Sequence, residues 1–191
     1  DDNTDDVYDS DDRVTWLAWP ECAGVVLDTD AENYPIDVHT VHVYLGSSTG
    51  EQDHAVAMLT MGVQQLAPGH DVALPGYGEW DLPETAFYAT VSSTHLNGLN
   101  LDDPENGLFP VTFDEGPIAV WVCTPDPEWG YDWPRDSDAS TSGIMVDADS
   151  SSARSFLADS SGTVSLGELG IEGAWVIRAV ASTAHVEDSG D

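Results

Sequence analysis

Lysine is absent from this chain, and only four arginines stand against 36 aspartates and glutamates. Holding a nucleic-acid backbone takes several basic contacts, and holding an anionic lipid surface takes clusters of Lys and Arg. The charge excludes both partners. No apolar run approaches the roughly 18–20 residues of a membrane-crossing helix, so direct membrane insertion is not expected. Cysteine is scarce as well, with Cys22 and Cys123 the only two. The chain contains no CxxC, CxxCH or HExxH pattern and so no zinc or haem signature. Cys123 lacks the following His and Met of a blue-copper site. No Gly-x-Ser-x-Gly nucleophile elbow is expected, and the run 46–50 reads as a turn. Ser, His and Asp are plentiful, but no spacing singles out a triad or a carboxylate pair.

What the chain does contain is enough apolar material for a core. The hydrophobic fraction is 41%, with 7 Trp, 6 Tyr and 4 Phe. That content argues against disorder, which high net charge would otherwise suggest. A net charge of −32 repels itself at low ionic strength. Salt relieves the repulsion, because the screening length falls to about 3 Å at 1 M. The composition therefore reads as that of a folded protein adapted to high salt or abundant divalent cations. The acidic start, without Met, reads as a processed N-terminus.

The apolar residues fall in short β-prone runs. The densest, 116–125, contains Trp121 and Cys123 between two prolines. The run 14–22 contains Trp16, Trp19 and Cys22. These read as two core strands joined by a Cys22–Cys123 disulfide, which implies an oxidising compartment. The run 38–45 alternates as a strand should. Strict alternation puts Val38, Thr40, His42 and Tyr44 on one face and His39, Val41, Val43 and Leu45 on the other. Further strands are expected at 55–66, 85–94, 108–113, 144–146, 155–157, 163–166 and 174–182, and a polar loop at 97–107. With about ten short strands, frequent turns and little or no helix, the expected fold is an all-β antiparallel β-sandwich, jelly-roll-like. Residues 1–12 and 187–191 read as acidic tails around one domain, 13–186.

Three acidic loops could offer oxygen ligands to calcium. They are Asp28, Asp30, Glu32 and Asn33; Asn100, Asp102, Asp103, Glu105 and Asn106; and Asp147 with Asp149. None spells a complete EF-hand loop. His39 and His42 would not chelate together if they lie on opposite faces of a strand. Trp129, Tyr131 and Trp133 alternate within a Pro- and Gly-rich stretch, 124–143, where exposed aromatics could stack on a sugar or anchor a protein contact. The run Val14, Trp16 and Ala18 has the alternation of a strand that could be donated to a neighbouring subunit.

These readings lead to a secreted or cell-surface structural or adhesive protein without catalytic role. It would be a subunit of a filament or surface layer, and its partners copies of itself or other surface proteins. The alternative is a lectin-like, glycan-binding module using the aromatic loop, with calcium as the cofactor such a site could take. A secreted hydrolase is the third reading.

Overall fold

The computed structural model describes residues 13–15, 21–27, 29–47, 56–66, 86–92, 96–123, 142–159 and 162–183. The strands among them are β1 (Arg13–Thr15), β2 (Cys22–Leu27), β3 (Ile36–Ser47), β4 (Val56–Gln65), β5 (Ala86–Ser92), β6 (Leu96–Asn100) and β7 (Val111–Phe113). They continue as β8 (Ile118–Cys123), β9 (Ser142–Asp147), β10 (Ser155–Asp159), β11 (Gly162–Ser165), β12 (Ala174–Trp175) and β13 (Ile177–Thr183). Between strands, the described helical segments are single 3-10 turns, at 31–33, 104–106 and 152–154. The all-β, antiparallel class expected from the sequence is the class observed. Both acidic tails lie outside the described residues.

The strands form two sheets. One has six strands in the order β11-β10-β2-β8-β4-β5. The other has seven, with β1-β9-β3-β13 as its path, β12 paired to β9, and β6 and β7 paired to β3. Their inner faces share one core. Ala23, Val25, Met61, Val63, Val120 and Val122 come from the six-stranded sheet, and Val38, Val41, Val43, Ile144 and Ile177 from the other. Each such side chain contributes on the order of 1.5–3 kcal/mol when taken fully out of water. A hydrogen bond also joins the sheets: the Trp175 indole N–H donates to the Phe156 carbonyl at 2.9 Å. Beneath it, the buried Ser155 hydroxyl accepts from the Trp175 amide at 3.1 Å, so that polar group is satisfied.

The six-stranded sheet is buried on both faces at its centre. Ile118, Val120 and Val122 of β8 face the shared core, while Ala119, Trp121 and Cys123 join a second buried cluster with Cys22, Leu66 and Ala158. All six residues of β8 are buried, which explains its continuous apolar sequence. Trp121 lies across β4 and is fully buried. Its register partners are Gly24 on β2 and Gly62 on β4. A Cβ on Gly62 would come within 2.3 Å of the indole Cζ2, so the ring occupies the space that this glycine leaves.

Cys22 and Cys123 are bonded, facing one another across the β2–β8 ladder with Cα atoms 4.0 Å apart. One detail differs from the sequence reading. Cys22 begins β2 and does not end a strand that starts at Val14. That earlier run instead contributes β1, whose Arg13, Val14 and Thr15 pair with Val146, Met145 and Ile144 in the opposite sheet.

β3 organises the seven-stranded sheet. It pairs with β13 on one edge, and with β6 and then β7 on the other. At residues 45–47 it pairs with β9. Where β3 and β9 diverge, β12 continues along β9 and β13 along β3. Val176, between them, accepts a hydrogen bond from the Tyr44 amide at 3.0 Å. The expected single closing strand is therefore two strands. Residues 97–100, expected in a loop, belong to β6, where Gly98 and Asn100 are exposed and polar side chains are not penalised.

Candidate functional site

Strict alternation fails in β3, and the failure builds the most chemically distinctive cluster among the described residues. Ile36 and Val38 point inward, as do Val41 and Val43. The inward spacing is thus two, three, two. The ladder with β13 shows why. Val180 pairs with Thr40, but the next residue, Ala181, pairs with Val38. His39 is the extra residue of a β-bulge, which turns a side chain out of register. His39 and His42 consequently share the outer face, which corrects the expectation that they lie on opposite faces. The signal was present in the sequence, as the three-residue gap between Val38 and Val41.

On that outer face, His39 Nε2 lies 2.7 Å from the Ser182 hydroxyl of β13. Its Nδ1 lies 3.5 Å from Asp102 Oδ2, just beyond the end of β6. The second contact is an ion-pair approach rather than a well-formed hydrogen bond. With Nδ1 protonated toward the carboxylate, Nε2 accepts the Ser182 proton. That is the order of nucleophile, base and orienting acid used in acyl transfer. The cluster is open to water, with His39 at 29% and Asp102 at 52% side-chain exposure. Water at that level weakens the electrostatic stabilisation on which such chemistry depends.

His42 lies over Gly98, where a Cβ would approach its ring to 2.8 Å. Opposite it on β13 is Arg178. Burial lowers the His42 pKa first, and the Arg178 cation lowers it further, so the ring is neutral at neutral pH. Beside the bulge, the Thr112 hydroxyl donates to Asp37 Oδ1 at 2.6 Å.

The acidic loop residues have local partners. Asn100 Oδ1 accepts from the Asp102 amide at 3.0 Å, and Asp102 turns its carboxylate to His39. Asp103 caps the 104–106 turn, accepting from the Asn106 amide at 3.3 Å and its side-chain N–H at 2.7 Å. Glu105 is exposed within that turn, and Asp30 is exposed ahead of the 31–33 turn. Asp147 closes its own turn, accepting from the Asp149 amide at 3.0 Å and the Ser150 hydroxyl at 2.6 Å. Among the described residues, no three His, Cys, Asp or Glu side chains converge as a metal site would require. Asp28, Trp16, Ala18, Trp129, Tyr131 and Trp133 lie outside the described residues.

Residues 46–50 correct the expectation that the chain lacks a Gly-x-Ser-x-Gly pattern. Gly46-Ser47-Ser48-Thr49-Gly50 spells Gly-x-Ser-x-Gly. An elbow of that type joins a strand to a helix. Here Gly46 and Ser47 belong to β3 and pair antiparallel with β9, and Ser48 to Gly50 lie outside the described residues.

A cleft of about 260 Å³ opens on the other side of β13, toward the six-stranded sheet. Its walls include Leu27, Tyr34, Ile36, Ile118, Ala179 and Ala181, and every lining side chain is uncharged. No family model, no curated protein and no solved structure matches the chain.

Proposed function

We propose that this chain is a secreted or cell-surface structural protein, a subunit of an extracellular assembly that forms in high salt. The observation that carries the reading is the edge of the seven-stranded sheet. β13 ends the strand path, and its residues Val180, Ala181, Ser182 and Thr183 are all exposed and all uncharged. A charge of −32 makes contact between copies costly wherever carboxylates meet. Backbone pairing along a neutral edge avoids that cost, and unprotected edges are the usual sites of strand addition. The Cys22–Cys123 disulfide supports an oxidising compartment.

The test is negative-stain microscopy and sedimentation of the purified protein across a salt series. Ordered filaments or sheets that form in molar salt and disperse at low salt are expected. Monodisperse monomers at every salt concentration and protein concentration would overturn the reading.

The Ser182, His39 and Asp102 contacts favour a second reading, a secreted hydrolase acting on small, accessible esters. Steady-state hydrolysis of p-nitrophenyl acetate by the native protein and by Ser182→Ala decides it. A rate that Ser182→Ala abolishes supports catalysis. A rate that Ser182→Ala leaves unchanged removes it.

A further inference from the structure

The reading of the chain as an assembly subunit leaves open which surface meets which. Resting on that reading, we infer that the edge of β13 that no other described strand occupies pairs antiparallel with β13 of a second copy of this chain, joining their seven-stranded sheets across a two-fold axis.

Three observations support this. First, the described edges differ in how well they are protected against pairing. β1 and β7 have three residues each. β11 has four and begins at Gly162, whose φ of 136° is one an ordinary side chain resists. β6 has five residues and a glycine. β5 and β13, which end their strand paths, have seven each; of these two, β13 is the one whose side-chain exposure is described. It carries no proline and no glycine, and the bulge beside it belongs to β3, so β13 stays regular.

Second, the uncharged part of β13 is also its exposed part. From residue 179 to 183 the sequence is Ala-Val-Ala-Ser-Thr, and the only charged residue of the strand, Arg178, lies behind that run. Val180 is 49% exposed, one of few large apolar side chains left in water among the described residues. In a chain with 36 carboxylates, such a segment offers no charge to attract a charged partner and none to repel an identical one. A second copy is therefore the occupant it suits. An isologous contact also uses the same residues on both sides.

Third, the cleft under Ala179 and Ala181 runs along the inner side of this edge. A strand added at β13 extends the sheet over the cleft's open side and takes apolar wall out of water.

The contact is small. A five-residue ladder alone buries well under the roughly 1,200 Å² of a stable interface. It should therefore be weak and dependent on concentration. It should also strengthen with salt, as screening removes the repulsion between the copies.

The test places single cysteines at Val180, Ala181 and Ser182, with Val164→Cys on β11 as an exposed control, and follows oxidation in molar salt on non-reducing gels. Antiparallel neighbours have Cβ atoms about 4.5–5.5 Å apart, so crosslinking should peak at the position nearest the two-fold axis and exceed the control at least about tenfold. Val180→Asp, at an exposed site that tolerates the change, should weaken wild-type self-association by a similar factor in sedimentation, because like charges meet across the ladder. Crosslinking no better than at 164, or undiminished association of Val180→Asp, overturns the pairing. The two ideas fail separately. Ordered assemblies that persist in Val180→Asp leave the assembly reading standing and remove this contact. A β13-linked dimer that never extends into ordered assemblies leaves the contact and removes the assembly reading.

Discussion

The two sheets are built from the same alternating backbone and have opposite surroundings. The centre of the six-stranded sheet is buried on both faces, and its sequence shows it: Ile118 to Cys123 is apolar at every position, with Trp121 seated over Gly62. The seven-stranded sheet is buried on one face. Its outer face carries Asp37, His39, His42, Arg178 and Ser182, and no other described strand pairs with the far edge of β13. Two-sided burial is concentrated in the first sheet, and the groups available for chemistry or contact in the second. A doubly buried strand has little room to vary, whereas a strand with a wet face can take a bulge and polar side chains at little cost.

Several measurements would sharpen or break this contrast. The largest expected effect is salt. Thermal melts should rise steadily from low to molar NaCl as screening shortens the range of the −32 self-repulsion. A flat or falling midpoint would count against adaptation to high salt.

Next comes the staple in the six-stranded sheet. Replacing Cys22 and Cys123 together by Ala should cost about 2–5 kcal/mol in chemical denaturation. The bond closes a loop with a sequence separation of 101, at the upper end of the chain-entropy estimate. Alkylation of both thiols in the denatured protein without reductant would show that the bond is absent.

Gly62→Val should follow. Its side chain would enter the space of the Trp121 ring, and overpacking of this kind costs about 1–3 kcal/mol. A comparable change on the wet sheet, Ser182→Val, should cost well under about 1 kcal/mol. Equal losses at the two sites would mean that the sheets are not differently packed.

The smallest effect concerns His42. Burial, and then Arg178, hold its folded pKa below the unfolded value. Between those two values the unfolded chain binds more protons, so stability rises with pH across that window and levels off above the unfolded value of about 6.5. His42→Gln should flatten the slope. An unchanged slope would assign it to other groups.

How much of this was legible in the sequence depended on how each strand is covered. The disulfide and β8 were legible because continuous burial leaves a continuous apolar run. The strand at 56–65 was legible despite its helix-prone Ala, Met and Leu, because Gly62 suits a strand crossed by a large ring and not a helix interior. β6 was missed because an exposed edge imposes no apolar pattern on Asn97, Gly98 and Asn100. The His39 cluster was missed for a different reason. A period of two was carried through residues 38–45, while the inward residues Ile36, Val38, Val41 and Val43 already showed the extra residue. Ser182 and Asp102 could not be joined to His39 from sequence, since their proximity depends on that bulge and on two long-range pairings.

Hydrogen exchange, read residue by residue in dilute and in concentrated protein at molar salt, tests the division between a sealed sheet and an open edge most directly. Amides of β8 should be strongly protected in both samples. Amides of residues 180–183 that point away from β3 should exchange fast when dilute and become protected when concentrated. Protection at 180–183 that does not change with concentration, or β8 amides that exchange as fast as those of β13, would contradict it.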